Sequence, residues 1–334
     1  MLNRRSLLLG AAAAVTTSSV RAQTPAPGAD TVVAPDLLQP SATIDLWPGG
    51  APGMADPAPV EIVNERSTDP TYADRAVSGI AVPRMVVFRP PEPNGAAIVL
   101  TPGGGYKNIV IDKEGHELAR WLAARGVTVF VLYYRLPGEG WSDRANVALA
   151  DAQRAMRLVR RHAADYEVDP DRVGAMGFSA GGHVCADLAA RFESAVYRPV
   201  DDADRLSARP TLAAPIYPVI SMSAPLAHAG SRSNLLGDSP SPADEEAHSP
   251  HRNVPEGAPP HFLLHAEDDG AVPVANSLAL RAALVQRGVP VETHLFAHGG
   301  HGFGLRYTAG KPVAAWPSLF LEFAKSVGLL LRPA

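Results

Sequence analysis

The sequence predicts an α/β domain, a mostly parallel central sheet flanked by helices, on three observations. Short β-rich runs alternate with helical patterns along most of the chain, the arrangement that builds βαβ units with right-handed crossovers. Most of those β-rich runs are continuously apolar rather than alternating, as strands buried on both faces of a parallel sheet require. The chain has 334 residues, 46% of them hydrophobic, enough for a sizeable core.

The first element is not part of that fold. Residues 1–22, MLNRRSLLLGAAAAVTTSSVRA, read as a targeting signal: Arg4 and Arg5 precede an Ala/Leu-rich run from Leu7 to Val15, and Val20-Arg21-Ala22 forms an A-x-A-like cleavage site. The run is too short to span a bilayer, so no stable membrane anchor is expected. Twin arginines, a weakly hydrophobic run and Arg21 near the cut look like a bacterial Tat signal, with a Sec signal as the alternative. Either implies export, to the periplasm or the exterior. Residues 23–42 are rich in Pro, Ala and Thr without periodicity and read as a flexible leader. A single domain is expected over residues 43–334, opening on the turn-dense LWPGGAPG of Leu46 to Gly53, with no later linker and no solenoid repeat.

Within that domain the candidate strands are Arg84–Phe88, Ala97–Leu100, Thr128–Tyr133, Arg172–Met176, Thr211–Ile216, His261–His265 and Glu292–Phe296. The candidate helices are Glu114–Arg125, Asp143–Ala164, Gly182–Arg191, Asn276–Arg287 and Ala315–Val327. In Asp143–Ala164 the apolar Ala152, Ala155, Met156, Val159 and Ala163 share one stripe, and Gly126 stops the helix before it. The Ser-, Pro- and His-rich stretch Pro218 to Pro260 interrupts the alternation and is too long for a simple connection; it is expected to wall the site. Functional groups of such sheets collect at the carboxyl ends of the strands.

Composition excludes several functions. The net charge of −4 with no long run of either sign argues against nucleic acid. A lone cysteine, Cys185, rules out an internal disulfide framework and reads as a small buried apolar residue. The histidines show no H-E-x-x-H or comparable spacing, so no metal site and no cofactor are expected.

Four segments carry chemistry, each directly after an expected strand. In Gly177-Phe178-Ser179-Ala180-Gly181, the glycines permit the sharp strand-to-helix turn that lifts a serine to the sheet edge. A serine hydroxyl needs such exposure, and a base, before it can attack a carbonyl. LTPGGGYKN, Leu100 to Asn108, offers three glycines whose N–H groups can approach a ligand oxygen. The donors expected for an oxyanion are Gly104 and Gly105 with Ala180; a phosphate loop is excluded because no G-K-[ST] follows. HAEDDGAVPV supplies Asp269, three residues before Val272-Pro273, with Asp268 as competitor. AHGGHGFGL supplies His301, preferred to His298, while His294 lies inside a strand. His183, four residues after Ser179, shares its helix face and is expected to support the turn from beneath. Tyr106, beside the glycine loop, is a candidate substrate contact, with core packing as the alternative.

The chain order Ser179, Asp269, His301, with the glycine loop upstream, resembles α/β-hydrolases, and specifically bacterial esterases of the acetylxylan-esterase-like carbohydrate esterase group. The resemblance rests on LWPGGAPG, TPGGGY, YYRLPG, DAQRAMRLVR, GFSAGGH, NLLG, HAEDDGAVPV and GGHGFGL. It implies the α/β-hydrolase fold, Ser179 as nucleophile, Asp269 as orienting acid and His301 as general base. It also implies small acyl esters as substrates, often acetyl groups on plant-polysaccharide sugars. Pro102 departs from related loops that carry histidine there. A general short-chain carboxylesterase, a prolyl-oligopeptidase-like peptidase and an inactive binding protein on the same fold are the competing expectations.

Overall fold

In a computed structural model of the protein, which describes residues 38–331, the apolar runs of the sequence become neighbouring strands of one sheet. The expected signal segment, and the expected leader up to residue 37, lie outside the described residues. In chain order the strands are β1 (Ala42–Asp45), β2 (Ile62–Glu65), β3 (Arg75–Ser78), β4 (Arg84–Phe88), β5 (Ala97–Thr101), β6 (Ile109–Val110), β7 (Thr128–Tyr133), β8 (Val173–Phe178), β9 (Ala213–Ile216), β10 (His261–Ala266) and β11 (Val291–Phe296). The helices are α1 (Glu117–Ala123), α2 (Val147–Arg161), α3 (Ser179–Arg191), α4 (Ala229–Leu236), α5 (Pro242–Ala247), α6 (Ala275–Gln286) and α7 (Trp316–Ser326).

The main sheet has eight strands in the order β1-β4-β7-β5-β8-β9-β10-β11. From β7 to β11 every neighbouring pair is parallel, whereas β4 is antiparallel to both β1 and β7. All seven expected strands are present, and β4 and β7 keep their expected bounds. β1, β2, β3 and β6 are additional, the last three forming a small sheet of their own. Ala42, placed by the sequence at the end of the leader, is the first residue of β1.

The path of the chain creates the site. From β5 it crosses through α1 to β7, then returns through α2 to β8 on the other side of β5. Right-handed crossovers put α1 and α2 on opposite faces of the sheet. β5 and β8 are therefore neighbours whose exits diverge, the topological switch point where α/β sheets open a crevice. The loop LTPGGGYKN leaves β5, and Ser179 follows β8.

Both faces are packed. On β10, Phe262 lies against Phe320 and Phe323 of α7, while Leu263 clusters with Leu280 and Leu284 of α6 on the other face, as strand alternation dictates. Cys185 is buried in α3, where desolvation pushes its thiol up to about 12. The stretch Pro218 to Pro260 holds α4 and α5, so it is more structured than its composition suggests.

Candidate active site

Strand β8 ends at Phe178, and Ser179, the first residue of α3, takes φ +53°. A non-glycine residue in that region is strained by about 1–3 kcal/mol and persists only where its surroundings over-determine it. Here they do. A Cβ on Gly177 would lie 2.1 Å from the carbonyl oxygen of Gly181, and one on Gly181 would lie 2.1 Å from that of Thr101. The Thr101 hydroxyl donates to the Gly181 carbonyl at 2.8 Å, so β5 and α3 meet backbone to backbone beneath the serine.

Three side chains converge on this turn. The Ser179 hydroxyl donates to Nε2 of His301 at 2.9 Å, and Nδ1–H of His301 donates to Oδ2 of Asp269 at 2.6 Å. Asp269 is fully buried at its side chain and acts only as an acceptor, which fixes the His301 tautomer. Its Oδ1 receives the N–H groups of Ala271 and Val272 at 2.9 and 2.8 Å. Burial alone would raise its carboxyl, but the hydrogen bonds from His265, His301 and the Val272 N–H outweigh it and hold the group well below the carboxylate range.

His265, which the sequence places only as a strand end, stands behind this pair. It is completely buried, takes the Ser277 hydroxyl on Nδ1 at 2.8 Å, and aims Nε2 at the Val272 carbonyl and at Asp269 Oδ2, 3.0 and 3.2 Å away. A lone histidine at the end of an apolar strand has no sequence signature for that role, although it lies only four residues before Asp269.

The alternatives weighed on sequence separate cleanly. Asp268 accepts the N–H groups of Gly299 and Gly300 at 2.9 and 2.7 Å and pairs with the exposed His298 at 3.3 Å. It therefore braces the loop that carries His301 and lies outside the hydrogen-bonded chain to Ser179. His183 is buried under the turn and linked to Tyr106, whose hydroxyl donates to Nδ1 at 2.6 Å; Nε2–H donates to the His248 carbonyl at 2.8 Å. Desolvation lowers His183 to about 4, so it serves this bridge as the neutral ring. Tyr106 is turned inward and only 2% exposed, which corrects the expectation of a substrate contact: its hydroxyl is consumed by His183.

The glycine loop faces Ser179. Gly103 donates its N–H to Glu114 at 3.0 Å, whereas the N–H groups of Gly104 and Gly105 have no protein acceptor among the described residues. Ala180 lies in the first turn of α3, where N–H groups lack intrahelical acceptors. Pro102 keeps its place in the loop through its carbonyl, which accepts the Tyr134 hydroxyl at 2.7 Å.

The stretch Pro218 to Pro260 supplies the adjoining wall. Asn234 donates to the Gly105 carbonyl at 2.8 Å, and Arg144 holds the carbonyls of Ser233 and Asn234. His228 caps α4, accepting from the Ser231 N–H and hydroxyl on Nδ1. Burial, and then the neighbouring His301, lower its pKa. Among the described residues no cluster of His, Cys, Asp and Glu could hold a metal ion, and no helix is long and apolar enough to cross a membrane.

Comparison with known proteins meets this geometry. A model of the BD-FAE family matches residues 87–284. An acetylxylan esterase of Xylanibacter ruminicola is 34% identical over 225 residues, 66% of this chain and 44% of that protein. Endo-1,4-beta-xylanase B of Butyrivibrio fibrisolvens is 34% identical over 205 residues, 61% of this chain and 32% of that protein. The chain thus spans less than half the length of these curated relatives. The crystal structure of an acetyl ester-xyloside bifunctional hydrolase from Caldicellulosiruptor lactoaceticus aligns with a TM-score of 0.72 at 34% identity, covering 88% of this chain and 99% of that one. With its eight-stranded, mostly parallel sheet flanked by helices, the chain has the α/β-hydrolase fold.

Proposed function

This chain belongs to the BD-FAE family, and on that premise we propose that it is a serine esterase that hydrolyses small acyl esters, acetyl esters of plant-polysaccharide sugars foremost. The observation that carries the reading is the hydrogen-bonded chain from Ser179 through His301 to Asp269, with the N–H groups of Gly104, Gly105 and Ala180 beside it. The acetylxylan esterase and acetyl ester-xyloside hydrolase among its relatives support the choice of acyl group and sugar.

In this reading His301 Nε2 takes the Ser179 proton as Oγ attacks the ester carbonyl. Asp269 keeps the imidazole in the required tautomer and stabilises the imidazolium that forms. The carbonyl oxygen, now negative, is held by the N–H groups of Gly104, Gly105 and Ala180; loss of one such donor costs about 100- to 1,000-fold in turnover. The imidazolium returns its proton to the departing alcohol, leaving an acyl-serine. Water then gives a proton to His301 and attacks the acyl carbon, releasing the acid and restoring Ser179. Besides the ester and the attacking water, each step in this reading uses side chains and backbone of this chain. We further propose export, for which the Arg4-Arg5 segment and the site after Val20-Arg21-Ala22 speak.

The test is an acyl-chain-length series of p-nitrophenyl esters beside acetylated xylan, following release of acid, with Ser179→Ala as control. A steep preference for acetyl and release of acetate from the glycan are expected. Preference for longer chains would replace this reading by a general carboxylesterase, and undiminished turnover by Ser179→Ala would remove the serine mechanism.

A further inference from the structure

Glu114 is a buried carboxyl, 3% exposed, that no step of this reaction uses. It stands in a single π-helical turn, Asp112–His116, ahead of α1, a distortion frequent at functional sites. Its Oε2 accepts the Gly103 N–H at 3.0 Å, and its Oε1 accepts the Tyr217 hydroxyl at 3.0 Å. That hydroxyl in turn accepts the Gly304 N–H at 3.2 Å. The Tyr217 ring stands edge-on to His301, 5.1 Å between centroids, and to Phe303 at 4.6 Å. A Cβ on Gly103 would meet Glu114 Oε2 at 2.6 Å and the Ser179 Cβ at 2.9 Å, and one on Gly302 would lie 3.6 Å from Oε1. One side chain therefore reaches the loop after β5, the exit of β9 and the loop that carries His301.

We propose that Glu114 is a positioning residue that holds the oxyanion loop and the His301 loop in one register around Ser179. By taking the Gly103 N–H it turns that donor out of the site and leaves those of Gly104 and Gly105 to face it. Through Tyr217 it fixes the surface against which the His301 ring rests. Both of its oxygens act as acceptors, so an amide is no substitute: glutamine would offer N–H to one of two donors and leave that donor unsatisfied in a buried place. Oxyanion donors act only when aimed at the position of the developing charge, so a small shift of this loop lowers kcat without weakening substrate binding. The inference rests on Ser179 being the nucleophile.

Steady-state kinetics on p-nitrophenyl acetate test it, using the full chain, Ser179→Ala, Glu114→Gln, Tyr217→Phe and the double variant Glu114→Gln/Tyr217→Phe, each checked by thermal melting. Glu114→Gln is expected to lower kcat about 10-fold or more, since misplacement by an ångström costs up to about 100-fold, with KM within about two-fold. Tyr217→Phe should lower kcat several-fold, and the double variant should be no worse than Glu114→Gln alone, because the two act through one network. A folded Glu114→Gln with kcat within about two-fold of the parent overturns the proposal, as does a loss that is additive with Tyr217→Phe and falls on KM. If Glu114→Gln does not fold, Tyr217→Phe decides, and parental kcat in that variant overturns it. An active Ser179→Ala would instead sink the serine mechanism, so the two failures are distinct.

Discussion

The edge of strands β5 and β8 and the wall from 218 to 260 border the same crevice, yet different forces hold them. At the strand edge, backbone is pressed against backbone: the positions of Cβ atoms on Gly177 and Gly181 are already occupied by main-chain oxygens. The wall is tied by backbone where it begins, the Val219 N–H donating to the Ser179 carbonyl at 3.1 Å; farther along it is tied by single side chains, Asn234 to the Gly105 carbonyl, Arg144 to two carbonyls of α4, and Asn276 to the N–H groups of Ile220 and Ser221. Steric constraint leaves no alternative arrangement for the serine. Side-chain hydrogen bonds, worth about 0.5–1.5 kcal/mol each, can be exchanged one at a time.

The hardest way to break the strand edge is Gly181→Ala. Its methyl would fall 2.1 Å from the Thr101 oxygen and 2.4 Å from that of Pro102, both backbone atoms. Overpacking of that kind, with backbone that cannot yield, should cost more than about 4 kcal/mol, read as loss of a folded transition in urea. A variant of parental stability would show that β5 and α3 have room to part.

His183 joins the two regions, since it binds Tyr106 from the glycine loop and the His248 carbonyl from the wall. Burial lowers it from 6.5 to about 4. Between those values the unfolded chain takes up a proton that the folded protein does not, so its contribution is complete above pH 6.5 and is lost as pH falls towards 4. The full loss is on the order of 3 kcal/mol, at 1.36 kcal/mol per pH unit. His116 and His261, also lowered to about 4, act in the same direction. Urea titrations at pH 7 and pH 4.5 should show the fall in the parent and a shallower one in His183→Gln. Equal slopes in both would remove His183 from the account.

The smallest effect is expected at the wall. Asn234→Ala removes one hydrogen bond to the Gly105 carbonyl and should lower kcat/KM by roughly 3- to 10-fold, about 1 kcal/mol, with little change in melting temperature. A loss as large as that of Gly181→Ala would erase the distinction between the two regions.

What was legible in the sequence follows the same division. Ser179 with the two glycines flanking it and the seven expected strands sit where a residue type has one local explanation, a strand-to-helix turn or an apolar run, whereas Asp269 and His301 each had a neighbouring competitor, Asp268 and His298. The missed strands lack that pattern: β2 is exposed at all four residues and β6 has only two. α5 lies in a stretch read as loop, although Ser241 and Asp244 form a capping box with Pro242 in the first turn, a signal that could have found it. Glu114 and Tyr217 were invisible as site residues because they meet across 103 residues of sequence; His265, only four residues from Asp269, was missed because it stands at the end of an apolar strand and forms no motif with that acid. Tyr106 stayed open between substrate contact and core packing because adjacency to the glycine loop says nothing of which way a ring points, and here it points to His183.

The central claim is that Ser179 is a nucleophile activated by His301. Reaction with a fluorophosphonate, followed by peptide mass spectrometry, tests it most directly. One adduct is expected, on the peptide that contains Ser179, forming at least about 1,000-fold more slowly in His301→Ala because serine and base act as a unit. An adduct on another residue, or labelling of Ser179 at the same rate without His301, would contradict it.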